Sequence, residues 1–168
     1  MFAPTTVLGE KGGTGMQKTE YEIRLEQLMP LFRQQLAQGK AVRFGPRGTS
    51  MLPMLRQGID TVELTALPEK LKKYDLPLYQ RRNGQYVLHR IVKAADTYTC
   101  IGDNQFEEEP GLTHDQMIAL VTAFYRGEKR REVDSWQYWL YCRFWHFSRP
   151  VRRIWLGVKA RLRRLIKK

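Results

Sequence analysis

Three residues of the types that carry out acyl transfer follow one another along the chain: Ser50, His89 and Asp103. A serine hydroxyl attacks a carbonyl carbon only after a base has taken its proton. A neutral imidazole, with an ordinary pKa near ~6.5, is suited to that task at neutral pH. A carboxylate that holds the imidazole in one tautomer completes the set. The spacing is compatible with three positions on neighbouring strands of one sheet.

The serine lies in a loop that we expect to hold its hydroxyl at the edge of a β-sheet. Gly48 precedes it, a Met-x-Pro segment follows at 51–53, and an alternating run at 59–64 follows Gly58. Glycine and proline favour turns, and the alternation is typical of a half-buried strand. The competing interpretation is a surface turn in which Ser50 bonds only its own backbone. The histidine and aspartate downstream favour the catalytic interpretation.

His89 is predicted to lie in the second strand of a hairpin. An Asn-Gly pair separates the runs 76–81 and 85–92, and Asn-Gly between two such runs is a strong hairpin signal. Side chains alternate along a strand, so we expect His89 and Arg90 on opposite faces. A single histidine in this position is more often a hydrogen-bonded core residue, and it is the combination with Ser50 and Asp103 that favours catalysis.

The elements that position these residues are mostly strands. An amphipathic helix is predicted from Lys18 to Gln38, ending near Gly39, because its apolar residues recur at helical spacing. Besides the hairpin, strands are predicted at 41–44, 60–67, 98–101 and 117–125. We therefore predict a mainly β chain with an unstructured leader at 1–15, an N-terminal helix at 16–40, a β domain at 41–130 and a helical tail at 131–168.

The tail differs from the rest of the chain in charge. Residues 135–168 contain ten of the 29 Lys and Arg residues and no Asp or Glu, together with all four Trp. An apolar stripe at 151–166 lies opposite the basic positions, as in helices that bind an anionic membrane surface. Packing on the β domain or on a second copy of the chain is an equal alternative. Specific binding to nucleic acid is not expected, because it would not require the stripe.

Two cysteines, Cys100 and Cys142, have neither zinc-ligand spacing nor a disulfide pattern, so no metal or cofactor is expected and a reducing compartment fits. No segment approaches the roughly 18 consecutive apolar residues of a membrane span, and no signal peptide is recognisable. We expect a cytoplasmic protein, peripheral at the inner face of the membrane if the tail binds lipid.

Four ordered motifs carry a family resemblance: Gly-x-Ser-Met-x-Pro-x-Leu-x-x-Gly at 48–58, Tyr-Asp-Leu-Pro-Leu-Tyr at 74–79, Tyr-Val-Leu-His-Arg-Ile-Val at 86–92 and Gly-Asp-Asn-Gln at 102–105. This part of the chain resembles the type I signal peptidase superfamily, which includes the self-cleaving repressor peptidases of the SOS response. Most bacterial members have a lysine base where His89 stands, so the chain resembles the Ser-His branch of endoplasmic-reticulum and sporulation-type signal peptidases.

The resemblance implies a signal-peptidase-like β-fold and a role for several of these residues. Ser50 would be the nucleophile, His89 the general base and Asp103 the group that orients the imidazole. The backbone N–H of Ser50, together with Gly48, would bind the oxyanion. Either Glu108 or Glu109 stands where the Ser-His branch keeps a further acid. The alternatives are a turn residue for Asp103 and a solvated charge run for the two glutamates.

Three functions are therefore open. The first is a serine endopeptidase that cleaves a peptide or protein substrate near the membrane. The second is a catalytically silent module that binds extended peptides in the groove of the fold. The third is a self-cleaving regulator, which is the weakest because no DNA-binding helix-turn-helix precedes the domain. A binding groove needs no nucleophile with its base, so Ser50 and His89 favour the first.

Overall fold

The computed structural model describes residues 25–166. In that part of the chain, antiparallel strands dominate and three helices are present, which confirms the expectation of a mainly β chain with helices at both ends. The chain divides into two compact units, residues 1–133 and 134–168. The predicted leader and the start of the predicted first helix lie outside the described residues.

The first helix, α1 (Leu25–Ala37), buries its apolar stripe. The helix was predicted to end near Gly39, and it ends at Ala37, two residues earlier. Gly39 has a φ of 72°, and the N–H groups of Gly39 and Lys40 donate to the carbonyls of Leu36 and Gln35 over 3.0 Å each. These two bonds form a Schellman motif, which glycine favours because it lacks a Cβ.

Nine strands follow in the first unit: β1 (Val42–Phe44), β2 (Asp60–Thr65), β3 (Pro77–Gln80), β4 (Tyr86–Leu88), β5 (Arg90–Ala94), β6 (Tyr98–Ile101), β7 (Glu109–Leu112), β8 (Met117–Arg126) and β9 (Lys129–Glu132). A large antiparallel sheet has the order β1-β2-β8-β3-β4, and β9 also pairs with β8. A smaller sheet has the order β5-β6-β7. The strands β1 and β4 are therefore at opposite ends of the large sheet.

The predicted strand 85–92 is not continuous, which corrects the sequence interpretation. Its first part, β4, pairs with β3 in the large sheet, whereas its second part, β5, pairs with β6 in the small one. His89 is the residue at which the chain leaves one sheet for the other. Because the strand breaks there, the alternation of faces fails, and both His89 and Arg90 are buried.

Two further strands were missed, for different reasons. The strand β7 contains Pro110 and Gly111, residues that usually mark turns, and the sequence analysis assigned this stretch to an acidic loop. The strand β9 is Lys-Arg-Arg-Glu and is exposed throughout, so it carries no apolar alternation. The strand β2, in contrast, alternates between buried and half-buried residues as predicted. A register shift between Glu63 and Leu64 interrupts its pairing with β8.

The loop between β1 and β2, which carries Ser50, is fixed at both of its sides. Asp60, at the start of β2, accepts hydrogen bonds from the backbone N–H and the guanidinium of Arg56 over 2.8–2.9 Å. Burial opposes ionisation of Asp60, but the bonds from Arg56 outweigh it and hold the pKa of the carboxyl below its usual value. The loop is thereby closed onto the strand that follows it.

The same loop contacts the corner that follows β6. The backbone N–H of Asn104 donates to the carbonyl of Ser50 over 2.7 Å, and the Asn104 side chain donates to the carbonyl of Thr49 over 3.2 Å. Gly102 lies so close that a Cβ there would be 2.7 Å from the Ser50 carbonyl oxygen and 2.9 Å from Gln105 Oε1. The absence of a side chain at Gly102 therefore allows the corner to hold the serine loop.

The second unit consists of α2 (Trp136–Phe147) and α3 (Arg149–Ile166). Ser135 caps α2, because its hydroxyl accepts a hydrogen bond from the Tyr138 backbone over 3.3 Å. Pro150 was expected to interrupt the tail, and a single residue, Ser148, separates the two helices. Pro150 itself lies in the first turn of α3, where a missing N–H costs little. Within residues 25–166, no helix is both long and apolar enough to cross a membrane.

We predict that Gly102→Ala destabilises the chain by about 1–3 kcal/mol, because the new methyl group must displace backbone of the serine loop. Gly45→Ala is the matched control, since a Cβ at Gly45 would meet its nearest atoms at 3.8 Å. Urea unfolding of both variants measures the difference. Equal stability of the two variants would contradict the close contact between the corner and the loop.

Candidate active site

Ser50 and His89 line one cleft of about 440 Å³. The serine loop forms one side of it, and residues of the two outer strands of the large sheet, Phe44 of β1 and Val87 of β4 among them, contribute to the lining. The structure therefore brings together the two residues in which the sequence predicted a nucleophile and a base. Among the residues that it describes, no hydrogen bond joins the two side chains.

Ser50 lines this cleft and is half-buried. The surface-turn interpretation requires a hydrogen bond from the Ser50 hydroxyl to its own backbone. Within residues 25–166 no such bond is present. The Ser50 backbone N–H also lacks a partner there, and can therefore donate to an oxyanion. The N–H of Gly48 donates to Gln57 Oε1 over 2.8 Å instead. In this conformation Gly48 does not supply the second oxyanion donor that was expected of it.

His89 is held through a tyrosine. The imidazole is only 4% exposed, and its Nδ1 lies 3.3 Å from the hydroxyl of Tyr79 on β3. The Tyr79 hydroxyl in turn donates to Glu109 Oε2 on β7 over 2.7 Å. Arg81 binds both oxygens of Glu109, through Nε over 2.8 Å and through Nη2 over 2.6 Å. Neighbouring elements thus contribute a connected series: arginine, glutamate, tyrosine and histidine.

The protons in this series determine the tautomer of the histidine. The bonds from Arg81 and Tyr79 outweigh burial and keep the pKa of Glu109 below its usual value, so its carboxylate only accepts hydrogen bonds. The single proton of the Tyr79 hydroxyl is directed to Glu109, so the tyrosine oxygen must accept from His89. Nδ1 therefore carries the proton of the neutral imidazole. The unprotonated nitrogen is Nε2, which makes no hydrogen bond within the described residues.

The surroundings also keep the imidazole neutral. Burial, followed by the positive charge of Arg81, lowers the pKa of His89 to about 4, although the charges of Glu109 and Asp103 act in the opposite direction. Burial and the bond to Glu109 raise the pKa of Tyr79, so the phenol stays protonated. At neutral pH the site therefore contains an unprotonated Nε2, which is the form that a general base requires.

Asp103 has a different position from the one predicted. It is 1% exposed and accepts two hydrogen bonds from Arg90, from Nε over 2.8 Å and from Nη2 over 2.7 Å. No hydrogen bond joins it to His89 in the part of the chain that the structure describes. The strand breaks at His89, so the Arg90 side chain is buried and its guanidinium binds the Asp103 carboxylate. Asp103 thus acts on His89 only through its charge.

The two further acids, Glu108 and Glu109, lie in different surroundings. Glu108 lies at the surface and pairs with Lys93 over 3.6 Å, whereas Glu109 belongs to the series that reaches His89. Sequence reasoning missed Tyr79 and Arg81. Their spacing was the available signal, because residues i and i+2 share one face of an extended segment. A tyrosine and an arginine on one face, in a hairpin that also carries a histidine, indicate a polar network.

The described residues contain no group of three or more His, Cys, Asp or Glu that could hold a metal ion. The two cysteines, Cys100 and Cys142, are buried and not bonded to each other. Burial raises the pKa of the Cys100 thiol, which keeps it in its unreactive protonated form. Ser50, in contrast, lines the cleft that His89 also lines.

Comparisons of the chain with protein-family models, with curated proteins and with solved structures found no match.

We predict that Asp103→Asn lowers the free energy of unfolding by about 3–5 kcal/mol, because it removes the charged partner that accepts two hydrogen bonds from the buried guanidinium of Arg90. Glu108→Gln is the control, since it removes a carboxylate from an exposed pair that contributes about 0–1 kcal/mol. Chemical denaturation followed by circular dichroism measures both values. A stable Asp103→Asn variant would indicate that the carboxylate serves the histidine rather than the fold.

Proposed function

We propose that the chain is a serine endopeptidase with a signal-peptidase-like fold, in which Ser50 is the nucleophile and His89 the general base. The observation that supports this most strongly is the shared cleft, in which a serine lies on the same surface as a neutral imidazole with an unprotonated Nε2. The Nε2 atom makes no hydrogen bond within the described residues, whereas the buried polar atoms of a core histidine are usually bonded.

The reaction follows from these groups. The Ser50 hydroxyl attacks the carbonyl carbon of a peptide while its proton passes to His89 Nε2, and the carbonyl oxygen becomes an oxyanion beside the Ser50 N–H. The imidazolium then gives the proton to the leaving amine as the C–N bond breaks, which leaves an acyl ester on Ser50. Water, activated by the same nitrogen, hydrolyses the ester and restores the hydroxyl.

Glu109 and Tyr79 support the charged intermediate. When His89 becomes an imidazolium, Nδ1–H remains bonded to the Tyr79 oxygen, and the carboxylate of Glu109 lies one hydrogen bond further away. A fixed negative charge behind a base stabilises its protonated form. Glu109 therefore takes the part that the sequence had assigned to Asp103, and it acts through the tyrosine.

The substrate proposed for this cleft is an extended peptide. The strands β1 and β4 both border the cleft, and each of them pairs within its sheet on one side only, as far as residues 25–166 show. The free edge of such a strand offers backbone N–H and C=O groups to an added strand. Apolar side chains in the lining, such as Phe44 and Leu78, favour a substrate with apolar residues on one face.

One observation favours a second function, a silent module that binds extended peptides. It is the missing hydrogen bond between Ser50 and His89 in the described part of the chain. Such bonds are often long before a substrate is bound, and they tighten in the reacting complex. The silent module and the peptidase therefore share the cleft and differ in whether the bound peptide is cut.

We expect the wild-type chain to cleave members of a mixture of unstructured peptides and Ser50→Ala to lose this activity by at least about 10³-fold, because no other group replaces the hydroxyl. Mass spectrometry of the peptides measures the cleavage. Ser148→Ala, which changes a serine of the second unit, is the control and should cleave normally. Cleavage by Ser50→Ala at the wild-type rate refutes the proposal, and equal peptide binding by both without cleavage supports the silent module.

A further inference from the structure

The second unit exposes an unusual amount of apolar surface. Eleven large apolar side chains are exposed among the residues that the structure describes, and nine of them lie in α2 and α3. These nine, which we call the exposed apolar face, are Trp136, Trp139, Leu140, Phe144, Phe147, Val151, Ile154, Trp155 and Val158. Soluble proteins usually scatter such residues, and a contiguous apolar face marks a surface that binds something.

The nine residues share one side of their helices. In α2 they recur at i, i+3, i+4, i+8 and i+11, and in α3 at i, i+3, i+4 and i+7, which is the spacing of a single helical stripe. Hydrogen bonds of α-helical spacing lie on both sides of the junction, from Ser148 N–H to Phe144 and from Arg152 N–H to Ser148. The stripe therefore keeps its phase from one helix to the next.

Positive charge surrounds this face. Residues 135–168 contain ten Lys and Arg and no acidic residue, whereas residues 1–134 are nearly balanced. Two arginines lie against the tryptophans: the guanidinium of Arg143 is 4.0 Å from the ring centre of Trp139, and that of Arg152 is 3.7 Å from that of Trp145. A partner of this surface must accept apolar side chains and carry negative charge.

We propose that the exposed apolar face binds to the surface of an anionic lipid bilayer, with α2 and α3 lying in the interface. A bilayer offers the two properties together, since its acyl region accepts the apolar side chains while its headgroups attract the arginines and lysines. Tryptophan is favoured at that depth because its ring is partly apolar and partly polar. The proposal concerns the second unit alone and does not depend on peptidase activity.

Other partners fit the charges less well. A second copy of the chain would bring two strongly basic, acid-free surfaces together, and like charges disfavour that contact. Nucleic acid would satisfy the charge but leave the apolar face in water, because phosphate contacts require only the basic side chains. A bilayer satisfies both requirements, so we argue for lipid and treat the others as outcomes of the test.

The chain offers a direct test, because all four tryptophans lie in the second unit, and selectively excited tryptophan emission therefore reports on that unit alone. The full chain is mixed with phosphatidylcholine vesicles with and without phosphatidylserine, at low salt and at about 0.15 M salt. Vesicle sedimentation measures binding and tryptophan emission measures burial. Ile154→Asp is compared with Ile59→Asp, because these isoleucines are similarly exposed, at 69% and 59%, but lie in different units.

We expect the wild-type chain to sediment with the anionic vesicles and its emission to shift to shorter wavelength. Salt should weaken this binding without abolishing it. Ile154→Asp should weaken binding by at least about tenfold, because it places a charge in the apolar face, and Ile59→Asp should bind like the wild type.

Three results would overturn the proposal. The first is a wild-type chain that stays in the supernatant at low salt, and the second is Ile154→Asp binding as tightly as the wild type. The third is a chain that does not bind anionic vesicles but instead binds duplex DNA or forms a dimer that Ile154→Asp abolishes. Circular dichroism of each variant establishes that it has folded, so weak binding by Ile154→Asp is attributable to the apolar face.

Discussion

The site depends on where the Tyr79 hydroxyl directs its single proton. Arg81 keeps Glu109 ionised, and the carboxylate accepts the hydrogen bond that the Tyr79 hydroxyl donates, so the tyrosine oxygen can only accept from His89. The consequence is a neutral imidazole with Nδ1 protonated and Nε2 unprotonated. If Glu109 were neutral, the same side chains would no longer determine which nitrogen is the base. A surface-accessible ion pair thus sets the chemistry of a histidine that is almost fully buried.

A second constraint fixes the position of the nucleophile. The buried pair of Arg90 and Asp103 holds the corner after β6, and this corner holds the serine loop through Asn104 and the close approach of Gly102. Two of the candidate acids therefore have different roles. Asp103 is fully buried and pairs with Arg90 in the frame of the site, whereas Glu109 is partly exposed, pairs with Arg81 and acts on His89 through Tyr79.

Sequence patterns correctly predicted the helices and strands whose formation depends on neighbouring residues. The stripe of α1, the hairpin at Asn83-Gly84 and the alternation of β2 follow from periodicity and turn chemistry. The break at His89 was not predictable, because it arises when two sheets compete for one extended run. The same break brings Arg90 to Asp103. The sequence therefore identified Asp103 as a candidate residue but predicted His89, rather than Arg90, as its partner. Tyr79 was hidden because an apolar strand accounts for it equally well.

The most direct test is the protonation state of His89, measured by ¹⁵N NMR of the full chain as the pH is lowered from 8. The chain has three histidines, and His89→Gln assigns the signals of the one concerned. The account predicts that Nδ1 has the shift of a protonated nitrogen and Nε2 that of an unprotonated one, and that both persist until the pH approaches the pKa of about 4. Titration near the ordinary value of ~6.5, or a proton on Nε2 at neutral pH, would contradict it.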